Sequence, residues 1–210
     1  MSLFITFEGI EGSGKSTQIQ LLAQRLRDRN LLVTTTREPG GCPLCDRIRD
    51  LLLNPDQQSM APSAELFLYL ASRAQHMAEV ILPALGQGRI VLCDRFSDAT
   101  AAYQGFARGI DPDFIETLNR FATSGRGPDL TLLFDLAAED GLRRSRCRDR
   151  SAGVQADRLE RESLDFHRRV REGYLHLAAA EPQRFRVFDA SLAPEKLSAV
   201  VETAVLPFLQ

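Results

Sequence analysis

The amino-acid sequence predicts a doubly wound α/β fold, in which a parallel five-stranded sheet carries helices on both faces. Stretches with strand character alternate with stretches of helical spacing, as in parallel sheets built from right-handed crossovers. The predicted strands at residues 89–94 and 130–135 are almost continuously apolar, which is typical of strands covered on both faces. A glycine-rich turn follows the first strand and begins the first helix, a common phosphate site in such folds.

Five short stretches are predicted to be strands because they are apolar or β-branched and end at turn residues. The first directly precedes the glycine-rich turn, and the second ends before Pro39-Gly40-Gly41. The third and fourth each end in an aspartate. The predicted strands cover residues 3–7, 31–36, 89–94, 130–135 and 185–188.

Helices are predicted where apolar residues recur every three or four positions. The longest clear stripe runs from about residue 63 to residue 85, with Ser63 as the expected N-cap. Another helix is predicted directly after the glycine-rich turn. The remaining predicted helices cover residues 44–53, 111–124, 138–150, 156–180 and 194–209.

Length and composition are typical of one soluble domain spanning residues 1–210. Hydrophobic residues make up 44% and charged residues 26% of the 210 residues. The formal net charge of −2 provides no broad positive field, so a nucleic-acid polymer is not expected as a partner. No apolar run approaches the roughly 20 residues that cross a bilayer, and no signal-peptide pattern begins the chain. We therefore expect a cytoplasmic protein without membrane partners.

Residues 9–16 have the P-loop pattern G-x-x-x-x-G-K-S in the strand-turn-helix context that it requires. The backbone N–H groups of such a loop surround phosphate oxygens at the start of a helix. Lys15 is predicted to reach the β- and γ-phosphates, and the Ser16 hydroxyl to bind Mg²⁺. The predicted triphosphate-binding residues are Gly9, Ile10, Glu11, Gly12, Ser13, Gly14, Lys15 and Ser16.

Charged residues follow two of the other predicted strands at the same edge of the sheet. Asp94 is predicted to hold Mg²⁺ directly or through water, with Asp135 as the competing candidate. Arg95 would place a planar fork for a second phosphate beside Asp94. Arg37, before Glu38-Pro39, could hold an anion, and the Glu38-Pro39 bond is a candidate for the cis form.

Tyr69 and Arg73 lie four residues apart on one face of the long predicted helix. A ring and a guanidinium at that spacing can grip a planar base, by stacking and by hydrogen bonding its carbonyl edge. Tyr69 is equally compatible with the rim of the core.

The segment from about residue 143 to 156 contains five arginines within its first eight residues. Like-charge pairs on a helix are unfavourable without an anion, so a mobile lid that closes on polyphosphate is predicted. The competing interpretation is a solvated basic helix face. Arg148 is the favoured catalytic arginine, followed by Arg144 and Arg146.

Cys42 and Cys45 form a single C-x-x-C with neither a second cysteine pair nor a histidine pair to complete a zinc site. We therefore expect neither metal binding nor redox use, in keeping with a reducing compartment.

Five motifs in order resemble bacterial thymidylate kinases over essentially the whole chain. They are the P-loop preceded by Phe7-Glu8, the turn at residues 37–41, the helix end at residues 72–76, the Asp94-Arg95 pair with residues 102–105, and residues 157–160. The resemblance implies the P-loop kinase fold and transfer of the γ-phosphoryl group of ATP to dTMP, with Mg²⁺. It also implies a homodimer packed through helices.

The resemblance further implies roles for individual residues. Arg37 and Arg95 would clamp the dTMP phosphate, and Arg73 would bond the thymine edge. Tyr103 would pack under the deoxyribose, and Glu11 would lie near the sugar or the metal. The implied substrate-binding residues are Glu11, Arg37, Tyr69, Arg73, Arg95, Thr100, Tyr103 and Gln104.

The chain departs from the family pattern at several positions. Tyr69 stands where phenylalanine is usual, and Ala99 replaces a common serine, which leaves Thr100 to contact the base. Two other functions remain open on the sequence: a P-loop kinase acting on dUMP, dCMP or a non-nucleotide alcohol, and a nucleotide-dependent switch or ATPase. A second phosphate clamp and a lid argue against a switch, which needs neither.

Overall fold

Five parallel strands form one sheet, as the sequence predicts. The computed structural model describes residues 2–57, 59–153 and 155–209. The strand order is β2-β3-β1-β4-β5, so β1 lies in the centre. The strands are β1 (Leu3–Glu8), β2 (Val33–Arg37), β3 (Ile90–Asp94), β4 (Leu130–Asp135) and β5 (Phe185–Asp189).

The order of the strands brings three chain segments to one edge. Phe7 of β1 and Arg37 of β2 both pair with Asp94 of β3. Since all strands are parallel, the glycine-rich turn, the turn after β2 and Arg95 leave the sheet side by side. This edge is where open α/β sheets bind ligands.

Helices cover both faces of the sheet and bury their apolar stripes against it. The largest buried cluster includes Ile5 and Phe7 of β1 together with Leu22 and Leu26 of the first helix. The helices are α1 (Lys15–Asp28), α2 (Pro43–Leu53), α3 (Pro62–His76), α4 (Leu82–Gly86), α5 (Ser97–Thr100), α6 (Pro112–Ala122), α7 (Ala138–Ala152), α8 (Leu164–Ala180) and α9 (Pro194–Val205). No helix within the described ranges is long and apolar enough to cross a membrane.

The long predicted helix is present, but its N-cap is wrong. Helix α3 begins at Pro62, after Ala61 in an extended conformation, because the fixed φ and missing N–H of proline suit the first helical position. A π-helical segment, Met77–Ile81, joins α3 to α4. The wider turn precedes Pro83, whose ring would clash with the carbonyl four residues earlier in a regular helix.

The predicted helix over residues 156–180 is wrong in its first part. The Asp157 carboxylate accepts hydrogen bonds from the backbone N–H groups of Leu159 and Glu160, each at 2.9 Å, and forms a turn. Helix α8 begins only at Leu164, where Ser163 is the N-cap and accepts from the Phe166 N–H at 3.1 Å. Such a side-chain turn competes with a helix.

A helical segment after β3 was missing from the sequence prediction. Helix α5 continues into a π-helical segment, Ala101–Ala107. Its buried face contains Ala102, Tyr103 and Gln104 and packs against α8.

Cys42 and Cys45 are paired as a disulfide, whereas the sequence predicted no redox use of these cysteines. Cys42 is the N-cap of α2 and is buried, as is Cys45. The turn at the start of the helix holds their Cα atoms 5.1 Å apart, within the range that a disulfide requires.

Candidate active site

A cavity of about 460 Å³ opens at the carboxyl edge of the sheet, a size typical of small-ligand sites. One end is lined by the P-loop residues Glu11, Gly12, Gly14, Lys15 and Ser16. The remaining predicted site residues that line it are Arg37, Tyr69, Arg73, Asp94, Arg95, Thr100, Tyr103, Gln104, Arg144 and Arg148. Gly9, Ile10, Ser13 and Arg146 are described but do not line it.

The P-loop lysine is folded back onto its own loop. Lys15 Nζ donates to the carbonyl oxygens of Gly9 and Ile10 at 2.9 and 2.8 Å. Burial and the nearby Arg95 cation lower the pKa of Lys15 to about 8, although Asp94 and Glu11 oppose this shift. An anion beside this amine would favour its charged form.

Two glycines bring the P-loop against the start of α7. A Cβ atom on Gly141 would lie 2.5 Å from the carbonyl oxygen of Glu11, and one on Gly12 would collide with the carbonyl oxygen of Gly141. Gly12 also has a φ of 73°, which glycine adopts at little cost. The arginine-rich helix is therefore packed directly on the P-loop.

The Ser16 hydroxyl and the Asp94 carboxylate lie next to each other and fit a Mg²⁺ site. Ser16 Oγ donates to Asp94 Oδ2 at 2.8 Å, and both residues line the cavity. Hard oxygen donors suit Mg²⁺, which commonly takes only one or two protein ligands and completes its shell with phosphates and water. The described part of the chain has no cluster of three metal-ligating side chains.

Asp135, the competing acid, is engaged elsewhere. Its carboxylate accepts two hydrogen bonds from Arg171, at 2.7 and 2.9 Å, and it does not line the main cavity. Asp94, which is bonded to Ser16 and lines the cavity, therefore fits the metal-binding prediction better than Asp135.

Arg95 lies at the centre of a buried network. Its guanidinium donates to Glu11 Oε1 at 2.8 Å, to the Gly9 carbonyl at 3.0 Å and to the Tyr174 hydroxyl at 3.1 Å. It also lies 5.0 Å from the centre of the Tyr103 ring, whose hydroxyl donates to Glu11 at 2.6 Å. These contacts fix the orientation of the guanidinium fork.

Neighbouring groups favour the charged form of Arg95. Burial opposes the cation, but Tyr103, Tyr174 and Glu11 outweigh it and hold the pKa of Arg95 well above its usual value. Burial also acts to raise the pKa of Glu11, but the Arg95 cation and His167 reverse the effect and hold it below its usual value. The pair therefore stays ionised.

A second arginine beside Arg37 was missed by the sequence analysis. Arg49 of α2 lines the cavity and donates to the Pro39 carbonyl at 2.9 Å. Burial, and then repulsion from Arg37, lowers the pKa of Arg49. Two adjacent arginines that repel each other are suited to an anion. No local pattern marks Arg49, because only the docking of α2 against the turn after β2 brings it there.

The turn that carries Arg37 is built as expected. The Glu38-Pro39 bond is cis, which confirms that candidate. Arg37 is half exposed and pairs with Asp46 at 3.1 Å. The exposed position leaves its side chain free to turn toward a ligand, since exposed ion pairs contribute little stability.

Arg73 is almost fully engaged by protein atoms. It is 1% exposed and donates to Glu38 Oε2 at 2.8 Å and to the Phe96 carbonyl at 2.9 Å. Its Nη1 donates to Thr100 and Asn119 at 2.9 and 2.6 Å. Of its five N–H groups, one on Nη2 has no partner among the described residues. Arg73 can therefore offer one directed donor to a ligand.

Two arginines of the predicted lid segment are held by other protein groups. Arg148 donates to Glu160 at 2.8 Å and to Asp149 at 2.9 Å, and Arg144 donates to the Ala190 carbonyl at 2.9 Å. Arg146 is exposed on the other side of α7. Val154, inside the predicted lid segment, lies outside the described residues.

Two further groups near the site were not anticipated. His167 is 1% exposed, and its Nδ1 lies 3.4 Å from Glu11 Oε2. Asp157 and Glu160 line the cavity, although residues 157–160 were predicted only as a family motif and not as site residues. Sequence periodicity could not place them, because they belong to the turn that was predicted to be helical.

A sequence model described as thymidylate kinase matches residues 7–201 of the chain. The chain belongs to the thymidylate kinase family. The thymidylate kinase of Trichlorobacter lovleyi is 58% identical over 205 residues, which are 97% of each chain. That of Geotalea uraniireducens is 52% identical over 207 residues, covering 98% of this chain and 97% of the relative.

A solved structure agrees with this assignment over the whole fold. The crystal structure of thymidylate kinase from Ehrlichia chaffeensis matches with a TM-score of 0.78 and 35% identity, covering 98% of each chain. The resemblance drawn from the sequence motifs and the P-loop kinase fold are thereby confirmed. The chain is a dTMP kinase with ATP as the phosphate donor.

Proposed function

We propose that the enzyme holds ATP and dTMP end to end in the cavity, with their phosphates meeting between the P-loop and Arg95. The observation that carries this proposal is the presence of two groups of cations in one cavity. Lys15 belongs to the P-loop, whereas Arg95 follows β3, Arg37 ends β2 and Arg49 lies on α2, and all four line the cavity. A hydrolase or switch needs only the first group.

The acceptor is already an anionic phosphate, so catalysis requires positioning and charge neutralisation rather than a strong base. Arg95 holds the acceptor phosphate, and Arg37 and Arg49 support it. Lys15 and a lid arginine neutralise charge on the transferring phosphoryl group, with Arg148 as the first candidate. Closure of the lid excludes water, which would otherwise compete as acceptor.

Ser16 and Asp94 would hold Mg²⁺ beside the P-loop. The ion supplies neutralisation of the β- and γ-phosphate oxygens when it is bound. The Ser16 hydroxyl donates to the Asp94 carboxylate at 2.8 Å. The serine and aspartate oxygens therefore already lie side by side next to the P-loop. Other P-loop residues surround the ATP phosphates with backbone N–H groups.

The acceptor base lies among Tyr69, Arg73, Thr100 and Gln104. Tyr69 stacks on the ring, and the remaining Arg73 N–H bonds a carbonyl oxygen. Tyr103 packs under the sugar, where its hydroxyl is fixed to Glu11 at 2.6 Å. A sugar with a 2′-hydroxyl would have to displace this ring.

The direct test is ADP formation with dTMP, dUMP, dCMP and no acceptor, measured side by side in Mg²⁺. We expect rapid ADP formation with dTMP and almost none without an acceptor. ADP formation that no monophosphate stimulates would identify a switch or ATPase. A clear preference for another acceptor would refute the assignment of the base site.

We also propose that the enzyme is a cytoplasmic homodimer. Three aromatic side chains on α3 and α6 are unusually exposed: Phe67 at 57%, Phe114 at 50% and Phe121 at 86%. The two helices pack together around Leu66, Leu70 and Ile115, so their outer faces are adjacent. Exposed apolar groups of this kind mark interaction surfaces.

A further inference from the structure

A buried carboxylate on α3 fixes the side chain of Gln104. Glu65 is 0% exposed and Gln104 is 1% exposed. Gln104 Nε2 donates to Glu65 Oε1 at 2.7 Å. The same carboxylate accepts from Arg108 at 3.2 Å and pairs with Arg158. No sequence motif marks Glu65.

The charge state of Glu65 decides which way the Gln104 amide points. Burial alone would raise the pKa of Glu65, but hydrogen bonds from Arg108 and Gln104 outweigh it and keep the pKa below its usual value. An ionised carboxylate only accepts hydrogen bonds. The amide nitrogen of Gln104 must therefore face Glu65, and its oxygen must face away.

The free side of Gln104 belongs to the acceptor-base region of the cavity. Gln104 lines the cavity together with Arg73 and Thr100, and its Oε1 accepts no hydrogen bond from any described residue. The region thus combines an amide oxygen as acceptor with the remaining Arg73 N–H as donor. A 4-oxopyrimidine has an N–H next to a carbonyl oxygen and matches this pair, whereas a 4-aminopyrimidine has the reverse pattern.

We propose that Glu65 is a positioning residue for base selectivity, which locks Gln104 with its oxygen toward the base and so favours thymine and uracil over cytosine. The inference rests on the proposed site for dTMP. Glu65 touches no substrate in this arrangement and acts through Gln104 alone.

Glu65→Gln tests the proposal, because the new amide at position 65 can pair with Gln104 in either orientation. It accepts from the Gln104 nitrogen in one orientation and donates to the Gln104 oxygen in the other. If both orientations become equally populated, dTMP and dUMP bind about twofold more weakly. Binding of dCMP tightens by about fivefold or more. In the unaltered enzyme the Gln104 oxygen faces an acceptor atom of cytosine, and rotation of the Gln104 amide removes this unfavourable contact. Dissociation constants are measured by calorimetry on the full chain with dTMP, dUMP and dCMP.

A matched control separates selectivity from general damage. Glu162 is the other acid bound to Arg108, at 2.6 Å, and the Gln104 amide donates to Glu65 rather than to Glu162. Glu162→Gln therefore disturbs the same arginine, and we expect the ratio of the dTMP and dCMP dissociation constants to stay unchanged. If Glu65 only supported the fold, its replacement would not lower the dissociation constant of dCMP.

A reciprocal exchange provides a second test that keeps one carboxylate and one amide in the cluster. In the double variant Glu65→Gln/Gln104→Glu, the amide at position 65 donates to the carboxylate at position 104, which again presents an acceptor to the base. We expect the preference for dTMP over dCMP to return to within about threefold of the unaltered enzyme. This variant also replaces the single one if Glu65→Gln does not fold.

The possible outcomes separate the inference from the proposed function. Proportional weakening of all three nucleotides in Glu65→Gln, or a double variant that prefers dCMP, would overturn the role of Glu65 alone. If the unaltered enzyme does not bind dTMP, the proposed function fails and this inference fails with it.

Discussion

At the scale of single residues, Arg95 combines backbone strain with a guanidinium that three hydrogen bonds to protein atoms hold in place. Its φ of 69° lies in the left-handed region, which non-glycine residues adopt at a cost when the surroundings enforce it. Here the backbone N–H of Arg95 donates to Phe7 at 3.0 Å, and the side chain is fixed by Glu11 and Tyr174. The guanidinium is therefore pre-organised before any nucleotide binds.

We expect Arg95→Ala to lower kcat/KM for dTMP at least about 100-fold, or about 2.7 kcal/mol of transition-state stabilisation. Lys15→Ala should cause a loss of similar size at the ATP end. Arg27→Ala, an exposed arginine on α1, is the control and should leave kcat/KM unchanged. A loss below about fivefold in a folded Arg95→Ala enzyme would remove Arg95 from the mechanism.

A second residue-scale feature is the carboxyl group of Glu8, which is 0% exposed at the end of β1. It accepts hydrogen bonds from the Phe96 N–H and the Tyr174 hydroxyl, each at 2.7 Å. Burial, and then the nearby Asp98, raises the pKa of Glu8 to about 8. The folded state therefore retains a proton that the unfolded chain loses near its ordinary pKa of 4.5.

Because the folded pKa of Glu8 is raised, its contribution to stability is complete below about pH 4.5 and declines as the pH rises toward 8. The slope approaches about 1.4 kcal/mol per pH unit for one proton. We expect Glu8→Gln to lose this slope, so that its unfolding free energy relative to the unaltered enzyme rises between pH 5 and 8. Urea unfolding at several pH values measures it. Parallel pH curves for the two proteins would contradict the prediction, and Glu195→Gln on the surface is the control.

At the scale of elements, the helical repeat of α7 places its arginines on different faces of the helix. Arg144 and Arg148 are four residues apart and share a face that lines the cavity, whereas Arg146 lies two positions from each and faces away. The arginines on the cavity side are tethered to Glu160 and to the Ala190 carbonyl. Exposed tethers of this kind are weak, so a polyphosphate can replace them.

We expect Arg148→Ala and Arg144→Ala to lower kcat more than they weaken dTMP binding, because a lid arginine acts mainly on the transferring group. The effect should decrease from Arg148 to Arg144 to Arg146. Steady-state kinetics and a separate dTMP dissociation constant measure the two quantities, with Arg168→Ala on α8 as the control. An intact kcat after replacement of all three lid arginines would show that the lid assignment is wrong.

At the scale of the whole molecule, the site residues lie at the carboxyl ends of the parallel strands, and an exposed apolar surface lies elsewhere. The strand ends converge on the cavity, while the exposed rings of α3 and α6 include Phe114 and Phe121. An apolar surface separate from the active site is suited to self-association.

We expect the enzyme to have twice the chain mass of 23.4 kDa in light scattering after gel filtration. The double variant Phe114→Glu/Phe121→Glu should be monomeric, because it buries charges in the proposed interface. Leu192→Glu, at an exposed leucine after β5, is the control and should remain dimeric. A monomeric unaltered enzyme at micromolar concentration would refute the proposed homodimer.

The sheet and most helices could be predicted because their signals are local. Apolar runs of five or six residues predict buried parallel strands, and the P-loop predicts its own turn and helix. The start of α3 and the turn before α8 could not be predicted in the same way. Pro62 competes with Ser63 for the helix start, and the side chain of Asp157 competes with a helix.

The sequence by itself determined the fold and the family and predicted the phosphate-binding residues, because all of these depend on short motifs and on the order of strands and helices. Only the tertiary structure decided that Asp94 rather than Asp135 lies beside Ser16, that Arg49 joins Arg37, and that Glu65 faces Gln104. Each of these contacts joins residues from separate elements. Their side chains meet through packing and strand register, which no local pattern of residues encodes.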